Sequence, residues 1–228
     1  NLKTLFDNDK KILELRMHQK LAVIKILRMK KNNVKKCLLG HIQRSGKSYI
    51  VGGCIIDDSK GKKKCNYLFI TTAPNETIEQ MMKVFDCFQL KGFKVIHLNG
   101  KNKKPKLGEK NIIICSKQFL QHKIGHDKQK HIKTKQIKWL KEMKFNMRFL
   151  DESHNGGATE LAEKTLKTYG KDSFTVQITA TYLKPMNNYN IPKKHCILWD
   201  LEDIKCCKNI YQEKYRERLI QKHGPEMK

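Results

Sequence analysis

The sequence has no long hydrophobic run. No apolar stretch approaches the roughly 20 residues that a membrane-spanning helix needs, and the first residues do not have the pattern of a signal peptide. We therefore expect an intracellular protein without a membrane segment. The sequence does not distinguish between the nucleus, the cytoplasm, a viral factory and a virion.

Acidic residues are also scarce. Only 22 Asp and Glu stand against 48 Lys and Arg, which gives a formal net charge of +26. A charge of this size attracts polyanions, so nucleic acid is the first expected partner. The alternative is that much of the lysine, like the frequent asparagine, reflects genome composition and coats a solvated surface. Such a composition would suit an AT-rich genome, for instance that of a large DNA virus.

The eight cysteines lack the spacing of a metal-binding hairpin. Only Cys206 and Cys207 lie close together, and the two-residue gap that zinc hairpins use is missing. We interpret the cysteines as reduced core or surface thiols. A zinc site formed by His195, Cys196, Cys206 and Cys207 is the weaker alternative.

What the sequence does have is an alternation of short β-rich apolar runs with longer helical patterns. This alternation predicts an α/β fold, with a mostly parallel sheet covered by helices on both faces. Continuous apolar runs, such as 68–70 and 112–114, are typical of strands buried on both faces. The predicted strands are Cys37–Ile42, Tyr67–Thr72, Lys94–Leu98, Asn111–Cys115, Met147–Asp151 and Phe174–Thr179. The predicted helices are Asp9–Lys31, Lys47–Asp57, Asn75–Leu90, Lys128–Lys144, Ala158–Tyr169 and Cys206–Gln221.

A phosphate-binding loop is predicted where Gln43-Arg44-Ser45-Gly46-Lys47-Ser48 follows a strand and opens a helix. The backbone amides of such a loop surround phosphate oxygens, the lysine adds a point charge and the serine hydroxyl ligates Mg²⁺. The match is imperfect, because Gly40 lies one position too early for the usual spacing. His41 therefore takes the leading position, which is normally small.

An acidic segment, Asp151-Glu152-Ser153-His154, follows the apolar run 147–150. A carboxylate at the carboxyl end of a buried strand can hold Mg²⁺, and the next carboxylate can orient or deprotonate the attacking water. Two adjacent acids also occur in ordinary turns. Their position downstream of a phosphate-binding loop favours the catalytic interpretation, and the two segments together predict an ATP site.

In this order, the segments resemble the first RecA-like domain of superfamily-two helicases of the DExH type. Arg16-Met17-His18-Gln19 looks like the upstream glutamine motif, and Thr71-Thr72-Ala73-Pro74 resembles motif Ia. Cys115-Ser116-Lys117-Gln118 resembles motif Ib, and Thr179-Ala180-Thr181 matches motif III. The loop from His41 to Ser48 is similar to the H-x-Q-G-S-G-K-[ST] loop of type I restriction motor subunits, with Arg44 in place of its middle glycine.

The resemblance implies a motor that couples hydrolysis of Mg-ATP to movement along DNA or RNA, without sequence specificity. The implied catalytic residues are Glu152, Asp151 and Lys47, and the implied nucleotide-binding residues are Arg16, Gln19, Arg44, Ser45, Gly46, Lys47 and Ser48. Ser48 and Asp151 would bind Mg²⁺, while His154, Thr179 and Thr181 would couple the γ-phosphate to the nucleic acid. The implied nucleic-acid contacts are Thr72, Ala73, Pro74, Ser116 and Lys117.

The expected domain organisation is an ATP-binding domain over 1–182, with its first helix at 9–31. Residues 183–228 are expected to form a link and a basic helix leading toward a second RecA-like domain in the full-length protein. Without that domain's arginines, the chain alone is expected to hydrolyse ATP weakly.

Two other interpretations remain open at this point. A non-catalytic nucleic-acid-binding module with a vestigial nucleotide pocket would explain the charge and the unusual His41 and Arg44. A different P-loop enzyme, such as a small nucleotide kinase, would leave Gln19 and the Thr179-Ala180-Thr181 segment without a role. Unwinding and double-strand translocation are not distinguished.

Overall fold

The described part of the chain forms one seven-stranded parallel sheet. The computed structural model describes residues 12–72, 74–99, 105–124, 137–151, 167–180, 191–208, 217–218 and 220–221. The strands are β1 Lys36–His41, β2 Cys65–Thr71, β3 Lys94–Leu98, β4 Lys110–Ser116, β5 Met147–Leu150, β6 Phe174–Thr179 and β7 Cys196–Trp199. Their order is β3-β4-β2-β5-β6-β1-β7, and all pairs are parallel. All seven carboxyl ends therefore lie along one edge.

Six α-helices are described, with a short 3-10 turn after the third and another before β7. The helices are α1 Met17–Lys31, α2 Lys47–Asp58, α3 Pro74–Phe85, α4 Lys117–Ile124, α5 Lys138–Glu142 and α6 Leu201–Lys208. The 3-10 turns are Phe88–Leu90 and Lys193–His195. No helix in these ranges has the length and apolar character that crossing a bilayer requires.

The core has two layers, one on each face of the sheet. The larger cluster packs α1, α2 and α3 against one face, with Ile26, Ile50 and Met81 almost fully buried. The smaller cluster covers the opposite face, where Leu120 of α4 and Leu140 of α5 meet Ile113. The predicted α/β fold, with helices on both faces, is confirmed.

In its described part, the helix predicted for 9–31 is helical only from Met17, and 9–11 lie outside the described residues. Residues 12–16 are not helical, and Arg16 is extended (φ −67°, ψ 165°) immediately before α1. In this extended segment, Leu13 and Leu15 are two residues apart, and both side chains pack against the core. A Cβ at Gly52 would lie 2.9 Å from Leu13, and one at Gly53 would lie 2.6 Å from Leu15. The close approach of the segment to α2 thus overrides the helical periodicity.

Three other predicted helices differ from the structure. The helix predicted for 75–90 is divided, because α3 ends at Phe85 and Cys87 is extended before a separate 3-10 turn. The described part of the helix predicted for 128–144 is helical only from Lys138 to Glu142. The helix predicted for 206–221 overlaps α6, which begins at Leu201, five residues before the predicted start. Residues 217–218 and 220–221 are also helical, and 209–216 and 219 lie outside the described residues.

Two elements were not predicted from the sequence pattern. Helix α4 follows β4 directly, and β7 is only four residues long with a lysine-rich turn before it. Strand β7 pairs with β1 through the register Leu38 to Cys196 and His41 to Trp199. The sheet therefore extends beyond the segment expected to end at residue 182.

A buried arginine ties β5 to β6. The guanidinium of Arg148 is 7% exposed and donates to Thr175 Oγ1 at 3.0 and 3.2 Å and to the Tyr169 carbonyl at 2.7 Å. Burial lowers the pKa of Arg148 to about 10, an effect that Asp172 partly offsets. These hydrogen bonds replace the water that the group loses on folding.

We predict that Arg148→Met lowers the free energy of unfolding by about 1–3 kcal/mol, because the Tyr169 carbonyl loses its charged donor inside the protein. Urea unfolding followed by circular dichroism measures the change. Arg28→Met, at an exposed position of α1, is the matched control and is expected to change stability by less than about 0.5 kcal/mol. Equal stability of the two variants would contradict the role assigned to Arg148.

Candidate functional site

The loop between β1 and α2 has two residues in the left-handed region. Arg44 has φ 60° and Gly46 has φ 77°. A Cβ at residue 46 would collide with Nε2 of Gln19, so glycine is required there for space as well as for backbone freedom. The N–H groups of Tyr49 and Ile50 donate to the Gly46 carbonyl at 3.0 and 3.3 Å. The backbone N–H groups that precede Tyr49 lie at the start of α2, and N–H groups at a helix start favour a bound anion.

The Lys47 ammonium lies against the same loop. Its Nζ donates to the carbonyls of His41 and Ile42, both at 3.1 Å. These bonds fix a positive charge at the carboxyl end of β1, beside the positive end of the α2 dipole. This arrangement is suited to an anion.

Asp151 brings a carboxylate to this site from the end of β5. Its N–H donates to the Ile70 carbonyl at 2.8 Å, which continues the pairing of β5 with β2. The buried Thr71 hydroxyl lies 3.3 Å from Asp151 Oδ2 and can donate to it. The carboxylate is thus oriented by the neighbouring strand.

One cleft of about 610 Å³ connects the loop to this carboxylate. Its lining includes Lys47 and Ser48 from the start of α2, Asp151 from β5, and Gln80 from α3. The sequence predicted that the loop and the acidic segment would meet, and the structure places Lys47, Ser48 and Asp151 on one cavity.

The glutamine of the upstream motif holds the loop in place. Gln19 is 5% exposed; its Oε1 accepts the Arg16 N–H at 3.0 Å, and its Nε2 donates to the Ser45 carbonyl at 3.0 Å. Neither Gln19 nor Arg16 lines the large cleft, although Arg16 borders a second cavity of about 300 Å³. The sequence pattern did not predict this contact between the motif and the loop.

The predicted nucleic-acid contacts meet at the carboxyl ends of β2 and β4. Gln118 Nε2 donates to the Thr72 carbonyl at 2.9 Å, and Ser116 Oγ accepts the N–H of Phe119 at 3.0 Å, which caps α4. Lys117 is 8% exposed, and burial lowers its pKa. Pro74 begins α3, and Ala73 lies outside the described residues.

The residues predicted to couple the nucleotide site to the nucleic-acid contacts are described only in part. Thr179 is fully buried at the end of β6 and lies opposite Gly40 in the register with β1. Glu152, Ser153, His154 and Thr181 lie outside the described residues. Their roles remain predictions.

The zinc alternative has no geometric support in the described ranges, which include His195, Cys196, Cys206 and Cys207. No group of three or more His, Cys, Asp or Glu side chains there is placed to hold a metal ion. Six of the cysteines are buried, and Cys206 is exposed.

His41 has a role that its place in the loop sequence did not reveal. The side chain is 1% exposed at the end of β1, and its Nδ1 has no hydrogen-bond partner among the described residues. Burial, together with the nearby charges of His18 and Lys47, lowers the pKa of His41 to about 3. The ring is therefore neutral at physiological pH and serves as packing beside the loop.

A parallel sheet of this order, with a glycine-containing loop after β1 and a carboxylate after β5, defines a RecA-like P-loop ATPase core. The chain belongs to the family described as type III restriction enzyme, res subunit, which matches residues 12–184. No curated protein sequence matches the chain. The family is one of superfamily-two helicase and translocase ATPases.

Solved structures of such ATPase cores share the fold. Two structures of a Sulfolobus solfataricus SWI2/SNF2 ATPase core give TM-scores of 0.58 and 0.56 at 17% and 19% identity. They cover 94% and 74% of this chain, and 43% and 32% of their own chains. The UvsW helicase from bacteriophage T4 gives a TM-score of 0.51 at 17% identity, covering 76% of this chain and 54% of its own. The chain thus spans less than two thirds of each of these proteins.

The depressed pKa of His41 predicts a pH dependence of stability. Because the folded-state pKa of about 3 lies below the ordinary 6.5, the unfolded chain binds more protons between these values. The contribution of His41 to the free energy of unfolding is therefore fully present above about pH 6.5. The free energy of unfolding falls as the pH drops from there toward 3, by up to about 1.4 kcal/mol per pH unit. Urea unfolding of wild type and His41→Asn across this window measures it. Parallel profiles for the two proteins would contradict the prediction.

Proposed function

We propose that the chain is the ATP-binding domain of a helicase or translocase that couples hydrolysis of Mg-ATP to movement along nucleic acid. The observation that carries the proposal is the single cleft shared by Lys47, Ser48 and Asp151. A loop of amides, a lysine and a strand-end carboxylate in one cavity suit a nucleoside triphosphate with its metal.

The residues present fit Mg²⁺. Mg²⁺ prefers oxygen ligands, and the cleft offers the Ser48 hydroxyl and the Asp151 carboxylate, which the Thr71 hydroxyl orients. When bound, the ion would neutralise charge on the β- and γ-phosphates. Ser48 and Asp151 would hold it directly or through water.

The other groups of the site would orient the triphosphate and the attacking water. Lys47 would exchange its bonds to the loop carbonyls for bonds to phosphate oxygens, which are stronger charge-assisted acceptors. Gly46, Ser45 and Arg44 would present backbone amides. Arg16, which borders the smaller cavity, and Gln19, which holds the Ser45 carbonyl in this structure, remain the predicted contacts to the base. Glu152, next in the chain to Asp151, remains the predicted group that orients or deprotonates water.

The nucleic-acid track would run along the carboxyl ends of β2 and β4. Thr72, Ser116 and Lys117 converge there at the same sheet edge as the nucleotide cleft. Hydroxyl and ammonium donors at such a position suit phosphate oxygens and carry no sequence information. One of the SWI2/SNF2 structures is in complex with dsDNA, which favours duplex DNA over RNA as the first track to test.

The buried hydroxyl of Thr179 supports the proposed coupling. It lies at the end of β6, between the strand that bears the loop and the strand that bears Asp151. Together with His154 and Thr181 it would transmit the state of the γ-phosphate to the track. A second RecA-like domain in the full-length protein would supply arginines to the γ-phosphate, so the domain alone would turn over slowly.

We predict that Lys47→Ala and Asp151→Asn each weaken binding of labelled ATP in the presence of Mg²⁺. A hydrogen bond to a charged group is worth about 1.5–3 kcal/mol, so Lys47→Ala should raise Kd by roughly 10- to 150-fold. Fluorescence anisotropy measures the affinity. Lys205→Ala, on the exposed face of α6, is the control and should bind as wild type does.

In the full-length protein, Lys47→Ala and Glu152→Gln should abolish the ATPase activity that nucleic acid stimulates. Unchanged turnover in either variant would sink the proposal. If wild type binds DNA in a salt-sensitive way but binds no nucleotide, the chain is instead a non-catalytic nucleic-acid-binding module.

We also predict that Lys117→Gln weakens DNA binding. The Lys117 side chain, 8% exposed in the free chain, would turn outward to make one phosphate contact, which the variant loses. The slope of log Kd against log salt concentration should fall by about 1. Titrations of labelled duplex DNA, single-stranded DNA and RNA over a range of salt concentrations measure this slope and show which nucleic acid the protein binds most tightly. Lys205→Gln is the control of equal charge change, and a thermal melt checks that Lys117→Gln is folded. An unchanged slope would remove Lys117 from the track.

A further inference from the structure

Three rings lie against the phosphate-binding loop, and the sequence motifs account for none of their contacts with one another. The Trp199 ring stacks on His18, with centroids 4.9 Å apart and planes at 10°. The His18 ring in turn lies 6.0 Å from that of His41, at 38°. The rings come from β7, α1 and β1 respectively, so they join three elements at one point.

Two residues of the stack are hydrogen-bonded to the loop, His18 through its ring and Trp199 through its backbone carbonyl. His18 Nε2 lies 2.9 Å from the Ser45 carbonyl, which also accepts the amide of Gln19. At the other end, the Ile42 N–H donates to the Trp199 carbonyl at 3.0 Å. The loop is therefore attached to β7 where it begins and to α1 just before Gly46.

This loop has a particular need for such support. The similar type I loop has glycine at this position, and glycine adopts a positive φ without strain. This chain has Arg44 there, with φ 60°. A side chain in the left-handed region costs about 1–2 kcal/mol and persists only where surrounding contacts fix the backbone. The attachments of the neighbouring residues Ile42 and Ser45 are among the contacts that fix this backbone.

Trp199 is not part of the region that matches the family. The match ends at residue 184, and β7 follows it. Trp199 also lines the cavity of about 300 Å³, together with His18 and Arg44. The support thus comes from a segment outside the family motifs.

We infer that Trp199 is a positioning residue for the phosphate-binding loop, acting through the ring of His18 on the Ser45 carbonyl. The consequence for ATP binding rests on the proposed function, but the effect on the loop does not. The effect is transmitted by the side chain, because alanine at residue 199 keeps the carbonyl that binds Ile42.

The first test is amide hydrogen exchange of residues 42–48 in the nucleotide-free chain, read by mass spectrometry. An aromatic pair contributes about 0.5–1.5 kcal/mol, so Trp199→Ala should speed exchange there roughly 2- to 10-fold. Peptides from β3 and β4 report any global loss of stability and serve for normalisation. Trp199→Phe keeps a ring on His18 and should restore most of the protection.

The matched control is Trp139→Ala, which removes the chain's other tryptophan from the opposite face of the sheet. It should leave the loop's normalised exchange unchanged. In a double-mutant cycle, Trp199→Ala should add little in a His18→Ala background, because the ring it acts on is gone. Independent effects of the two substitutions would overturn the inferred route through His18.

The second test is the affinity for labelled ATP with Mg²⁺. Trp199→Ala should raise Kd roughly 2- to 10-fold, with recovery in Trp199→Phe and no change in Trp139→Ala. Unchanged normalised loop exchange in Trp199→Ala overturns the inference. Faster exchange with unaltered ATP affinity overturns its consequence for nucleotide binding. If wild type binds no ATP, the proposed function fails, and the exchange experiment alone decides whether Trp199 positions the loop.

Discussion

The site depends on the position of β1 between two parallel neighbours. Backbone hydrogen bonds join it to β6 on one side and to β7 on the other, and its residues 37–41 are buried. A strand paired on both sides and covered on both faces cannot shift its register without exposing its core residues. The position at which the phosphate-binding loop leaves the sheet, at the carboxyl end of β1, is therefore fixed relative to the neighbouring strands. Lys47 and Asp151 can meet because β5 is fixed in the same way, two strands away.

Much of the fold could be predicted because parallel strands buried on both faces are continuous apolar runs. Strands β3 and β6 have the predicted ends, and four others differ by one or two residues. Strand β7 was missed because four residues beside a lysine-rich turn give too short a signal. The start of α1 was misplaced because the glycines that draw 12–16 into an extended path lie in another helix. Neither feature is local in the sequence.

The candidate site was predictable for a related reason. Lys47, Ser48 and Asp151 lie at strand and helix ends, and the carboxyl ends of parallel strands must share an edge. The tertiary contacts were not predictable: Gln19 binds the Ser45 carbonyl, Thr71 approaches Asp151, and His41 is buried among rings. Such contacts depend on side-chain directions that sequence spacing does not encode.

The glycine pair in α2 restricts residue size at two positions that lie away from the candidate site. Gly52 and Gly53 let the extended segment before α1 lie directly on α2, leaving no room there for a methyl group. A larger residue there would displace the side chains of Leu13 and Leu15, which belong to the segment leading into the start of α1, where Gln19 binds the loop. Substitutions at two apolar core positions would thus act on the candidate site through helix spacing.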